Sequence, residues 1–141
     1  MSRYDATQSN ESTRSSRIYK DLNLNFEKNT VTKDIQKITD IEAVKRSVRN
    51  LINTNHYENP FHPEIGSNLR AMLFENLTPQ MNHLISKQIE LLLRNYEQRI
   101  RLVQVNAQPS YDRNGYLATI SFYVLNYPEP VVVENFLERL R

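Results

Sequence analysis

At 141 residues and 39% apolar, the chain carries enough core-forming side chain for one domain of ordinary size. The absence of Cys excludes a disulfide framework and any thiolate metal site. A net charge of +2, from 18 basic and 16 acidic residues, is too balanced for the concentrated basic face that nucleic-acid phosphates require.

Met1 to Arg17 is Ser-, Thr- and Arg-rich with scattered apolar residues, which cannot offset the entropy of ordering, so a flexible tail is expected there. It has no apolar segment of signal-peptide type, and no run anywhere reaches the roughly 20 apolar residues of a membrane helix. A soluble, unprocessed chain with neither membrane nor nucleic acid as partner is the expectation. Residues 18–141 are read as the folded domain. Ile18 to Phe26 alternates, with Ile18, Leu22, Leu24 and Phe26 on one side, and predicts a strand or extended arm.

Thr39-Asp40-Ile41-Glu42 has capping-box spacing and predicts a helix start. Ile41, Val44, Val48, Leu51 and Ile52 then form its apolar stripe. Asn53 to Pro63 ends the helix with turn chemistry. Pro60 and Pro63 hold their preceding residues extended, and Gly66 supplies freedom for a sharp entry into a short helix containing Leu69, Met72 and Leu73, capped by Ser67 or Asn68. Thr78-Pro79 puts a capping residue before Pro at the first helical position, a strong helix start. Met81, Ile85, Ile89, Leu92 and Tyr96 continue it for about five turns, with Leu84, Leu91 and Leu93 widening the stripe as ordinary core.

From Ile100 the period becomes two. Val103, Val105 and Ala107 alternate with polar residues, as do Tyr116, Ala118, Ile120, Phe122 and Val124 after the Asp112-Arg113-Asn114-Gly115 turn signal, which predicts an antiparallel hairpin. Pro128 and Pro130 break the second strand. Val133, Phe136, Leu137 and Leu140 then have helical spacing and predict a C-terminal helix. The expected fold class is α+β: a single compact domain of helices packed on a small antiparallel sheet with a late hairpin. Both faces of the Tyr116 to Leu125 strand carry large apolar residues, unlike a strand with one wet face. Either the terminal helix covers the second face, or a partner strand adds to the hairpin edge.

Glu64, Glu75, Glu90, Glu97 and Asp112 are the carboxylates that could supply a glycosidase pair, but Glu90 falls on a charged helix face and Asp112 in a turn. His56, His62 and His83 lack the spacing of a helical zinc motif, so no metal site is expected. Two glycines cannot build a phosphate-cradling loop, and no cofactor is expected. Arg94, Arg99 and Arg101 beside Tyr96 are interrupted by Glu90 and Glu97, which reads as a solvated helix end.

The series Phe61-His62-Pro63-Glu64-Ile65-Gly66, then Leu73-Phe74-Glu75-Asn76-Leu77-Thr78-Pro79, then Arg94-Asn95-Tyr96-Glu97-Gln98-Arg99-Ile100 resembles the baseplate wedge protein family of contractile phage tails. That family includes the T-even wedge component once labelled lysozyme-like and a type VI secretion baseplate subunit. The resemblance covers roughly Ile18 to Arg141. It implies a non-enzymatic structural subunit of the virion tail baseplate, assembled in the host cytoplasm, with one copy in each wedge of a six-fold assembly. The implied partners are the wedge core proteins and the tail sheath protein. The family's Glu-Pro-Arg motif, which contacts the wedge core, is matched by Glu97, Gln98 and Arg99, with Gln98 in place of Pro. The hairpin resembles the sheath's own strand-exchange region, which implies sheath contact through Val103, Val105, Ala107, Tyr116, Ala118, Ile120, Phe122 and Val124. A Pro at Ile120 would then block that edge in a folded monomer. The old label keeps a peptidoglycan hydrolase as the alternative.

Overall fold

The computed structural model describes residues 19–139, so the expected tail over Met1 to Arg17, together with Ile18, lies outside it. Two compact units divide the chain, Met1–Ala43 and Val44–Arg141. In the first, β1 (Lys20–Leu22) pairs antiparallel with β2 (Lys37–Thr39), matching Lys20 to Thr39 and Leu22 to Lys37. The expected strand through Phe26 is therefore shorter. Asn23 Oδ1 accepts the Asn25 N–H at 3.1 Å, and Phe26 takes a positive φ of 55°, so the chain turns there. The β2 partner had no legible alternation.

Helix α1 (Asp40–Asn53) starts at the expected place and buries Val44, Val48 and Ile52. After a long loop comes the short α2 (Leu69–Met72), where the Ser67 hydroxyl accepts the Leu69 N–H at 3.4 Å and Asn68 makes no side-chain cap. Helix α3 (Pro79–Tyr96) begins as the Thr78-Pro79 pair predicts, with Thr78 Oγ1 accepting from the Met81 N–H at 3.2 Å. It buries Ile85, Ile89, Leu92 and Leu93, whereas Leu84 and Leu91 stay about half exposed and lie outside the core stripe.

Strands β3 (Ile100–Ser110), β4 (Gly115–Val124) and β5 (Pro130–Glu138) form an antiparallel sheet in the order β3-β4-β5. The C-terminal helix is thus corrected to a strand. Val131, Val132 and Val133 are β-branched and follow Pro130, which favours extended backbone. Val133 and Leu137, four apart, share a face under either period, and only Phe136 separates the helical reading from the strand. In register, Tyr116 faces Leu137, Ile120 faces Val133 and Phe122 faces Val131, and all six side chains are buried. This face, with α1, α2 and α3, makes the core.

The second face of the sheet is wet at its flanks. Gln104, Asn106 and Gln108 on β3 and Glu134 and Glu138 on β5 point outward with exposed Val132, Tyr123 and Leu125. Phe136 on that face lies under the Arg113 guanidinium, 4.0 Å from the ring centroid. The hairpin turn takes its positive φ at Asn114, not at glycine. Gly115 serves another purpose: a Cβ there would stand 2.4 Å from the Leu137 carbonyl oxygen and 2.7 Å from the Phe136 ring, so only Gly lets β5 approach.

Candidate functional site

The end of α3 gathers the residues singled out as Glu97, Gln98 and Arg99. Glu97 caps the helix, its N–H donating to the Leu93 carbonyl at 3.0 Å, and the chain turns directly into β3. Its carboxylate is 4% exposed and fully engaged. Arg99 Nε and Nη2 donate to Glu97 Oε1 and Oε2, each at 2.7 Å, in a two-pronged fork. The Arg99 N–H adds a third donor at 3.3 Å, and the Ser47 hydroxyl of α1 donates to Oε2 at 2.6 Å. Burial pushes the Glu97 carboxyl upward. The hydrogen bonds from Arg99 and Ser47 and the Arg99 charge outweigh it, leaving the carboxyl below the usual range.

Acid and base therefore come together, but mainly with each other. Glu97 ties α3 to α1, while Gln98 is exposed and Arg99 is partly exposed. Ser47 was missed in the sequence, since a single Ser on a helix fifty positions upstream carries no signal of its own.

The Pro60 to Glu64 turn meets the same end of α3. Tyr96 donates its hydroxyl to the Glu64 carbonyl at 2.7 Å. The loop beneath is held by backbone bonds: Tyr57 N–H to Pro63 O at 3.0 Å, Ser67 N–H to Thr54 O at 3.1 Å, and Ile65 N–H to His62 O at 3.1 Å. The Glu58 carboxylate accepts from both the Asn55 N–H and its Nδ2, at 2.9 and 2.8 Å. Gly66 has φ +136°, and a Cβ there would sit 2.6 Å from the Asn55 carbonyl carbon. Phe61, 91% exposed, stands at the turn's surface.

Glu64 itself is exposed. Its own backbone N–H and then His62, with Nδ1 3.1 Å from Oε1, hold its carboxyl below the usual value. A glycosidase acid needs the opposite shift. Among the described residues no group of His, Asp and Glu is clustered to hold a metal ion.

The residues expected at a sheath contact divide sharply. Ala107, Tyr116, Ala118, Ile120, Phe122 and Val124 are buried in the core, Val105 is half-buried, and Val103 is exposed at an irregularity between Leu102 and Gln104. Strand β4 is central, paired on both sides within the chain, so its main chain and its core-face side chains are engaged internally. Pro at Ile120 would break the core sheet and not a free edge.

A small α+β subunit whose buried Glu97 is satisfied internally by Arg99 and Ser47, and whose three-stranded sheet ends on β3 and β5, has the build of a structural assembly component. The chain belongs to the baseplate wedge protein gp25 family, whose model matches residues 39–127. It is 35% identical over 99 residues to baseplate wedge protein gp25 of Enterobacteria phage T4, spanning 70% of this chain and 75% of that protein. The fold recurs in solved structures. A chain of the anti-feeding prophage baseplate superposes with TM-score 0.67 at 23% identity, over 78% of this chain and 88% of that one. A putative tail lysozyme from Geobacter sulfurreducens gives TM-score 0.60 at 24% identity, over 69% and 90%. A chain of the type VI secretion system baseplate complex gives 0.54 at 17%, over 70% and 93%.

Proposed function

We propose that this chain is a structural component of a contractile-tail baseplate wedge in the virion, docking on the wedge core at the end of α3 and templating the tail sheath through its sheet. It acts without enzymatic chemistry. The docking surface comprises Gln98, the outer part of Arg99 and the adjoining Pro60 to Glu64 turn, which Tyr96 joins to α3. Glu97 supports that surface from within by fixing the Arg99 guanidinium. Gln98 is exposed at this end of the helix.

The observation that carries the templating reading is the open sheet: three strands in the order β3-β4-β5, with main-chain groups at the margin available to a further strand. The test is reconstitution. Baseplates assembled with the chain should nucleate sheath, and baseplates lacking it should not; equal nucleation on both overturns the reading. A Gln98→Glu change places a charge on the docking surface without touching the core. It should lower incorporation into wedges, and unchanged incorporation would remove Gln98 from the contact.

A further inference from the structure

The two margins of the sheet are not equivalent. The Ala107 N–H points away from β4, because Ser86 of α3 accepts it at 2.9 Å. Alternation puts Val105 and Pro109 on the same margin, and Pro109 has no N–H to offer. Upstream, the register slips between Leu102 and Gln104, leaving Val103 as an extra residue. A covered donor, a missing donor and a bulge all blunt the β3 edge.

On the β5 edge the register with β4 runs without a break, and the donor missing at Pro130 falls at the strand's first position, leaving the margin from Val132 onward intact. Arg139 N–H donates to Asn114 O at 3.0 Å, which sets the phase of the β4-β5 ladder. Val131, Val133, Asn135 and Leu137 direct their main chain toward β4, so Val132, Glu134, Phe136 and Glu138 direct theirs outward. Among the described residues no hydrogen bond engages those outward groups, and none engages the exposed Glu134 and Glu138 carboxylates. At the Glu138 end a cavity of about 190 Å³ opens beside the strand, with apolar walls from Ile52, Leu73 and Leu137 and polar ones from Asn53, Asn55 and Arg70.

We propose that β5 is the accepting edge and that its occupant is an extended, antiparallel segment of a neighbouring subunit carrying two basic residues four positions apart. This rests on the templating reading above and names the edge and the chemistry. The basic residues lie opposite Glu138 and Glu134, where opposite charges across a ladder attract. The residue opposite Leu137 is aliphatic, because it lies on the core face beside buried Leu137 and the Ile52 and Leu73 wall of the cavity, with Arg70 and Asn53 at the polar side. The residue opposite Val132 is apolar.

Two proline variants separate the edges. Glu134→Pro removes an outward N–H of β5, and Val105→Pro removes one of β3. Each is checked by circular dichroism and then used in sheath nucleation on reconstituted baseplates. Nucleation should be lost with Glu134→Pro and kept with Val105→Pro. Loss with Val105→Pro alone would overturn the edge assignment and leave templating by strand addition intact; nucleation with both would overturn the two together. A solution measurement decides even where a proline disturbs folding. The peptide Lys-Leu-Val-Thr-Lys-Thr-Val should shift the amide resonances of Val132, Glu134, Phe136 and Glu138, and the Glu134→Lys, Glu138→Lys double variant should bind it roughly ten-fold more weakly. Equal binding to both proteins, or shifts confined to β3, overturns the proposal.

Discussion

Ser47 on α1 and Glu97 at the end of α3 stand fifty positions apart in sequence and are joined by a 2.6 Å hydrogen bond. The bond makes the acid of the proposed docking motif part of the interior, with Arg99 as the group that reaches the surface. Removing the hydroxyl leaves a buried carboxylate with one donor fewer. Ser47→Ala should destabilise the protein by about 1–2 kcal/mol in urea unfolding. Arg99 should also become more mobile, seen as faster exchange of its side-chain Nε proton.

The same carboxylate gives a pH signature. Its pKa is lowered in the folded state, so its contribution is fully present above the unfolded value of about 4.3 and is lost as pH falls through the folded one. Glu97→Gln cannot titrate. The stability gap between the natural protein and Glu97→Gln should be constant between about pH 5 and pH 7 and should close as pH falls below roughly 4. Denaturant midpoints across that range measure it; a gap that widens in acid would reverse the assigned shift.

Gly66 combines a positive φ with a backbone contact that no side chain can share. Gly66→Ala pays for both at once, since the left-handed backbone strains any L-residue and the atom displaced belongs to the Asn55 main chain. The expected loss is about 3 kcal/mol, read as a drop in melting temperature. The loop from Asn55 to Ser67 should open first, as raised amide exchange at Tyr57 and Ser67.

Much of this was legible because it is local. Thr78-Pro79 announces α3 through a cap and a fixed φ that act within four residues, and Glu97 and Arg99 meet because they are two residues apart at a helix end. The C-terminal strand was not legible. Val133, Phe136 and Leu137 satisfy a helical spacing as well as Val131, Val133 and Leu137 satisfy a strand spacing, and the choice is made by the register with β4, a long-range pairing. The same pairing made β4 central and moved the open edge away from Ile120. Gly115 sits in a turn signal, yet its requirement comes from Phe136 and Leu137 across the sheet.

Covering of the β3 edge by α3 predicts a further effect. In Ser86→Ala the Ala107 N–H loses its acceptor in a residue only 3% exposed. An unsatisfied donor there should cost about 1–2 kcal/mol. It should also uncover a strand margin able to pair with other chains, so the variant should self-associate more at high concentration than the natural protein. Sedimentation velocity at several concentrations reads this directly, and unchanged association would show that Pro109 and the Val103 bulge suffice to blunt the edge.

Tyr96 offers the most selective test of how the turn is held to α3. Its ring is partly exposed and its hydroxyl makes one bond, to the Glu64 carbonyl at 2.7 Å. Tyr96→Phe keeps the ring and removes the donor. Water can replace the lost partner at this exposed carbonyl, so global stability should fall by only about 0.5–1 kcal/mol. The local effect should be larger than the global one. Limited proteolysis should accelerate between Tyr57 and Glu64 while cleavage elsewhere is unchanged, and incorporation into wedges should fall, because the turn no longer holds a fixed position beside Gln98 and Arg99. Faster cleavage with full incorporation would separate the turn from the docking surface and leave the α3 end to act alone.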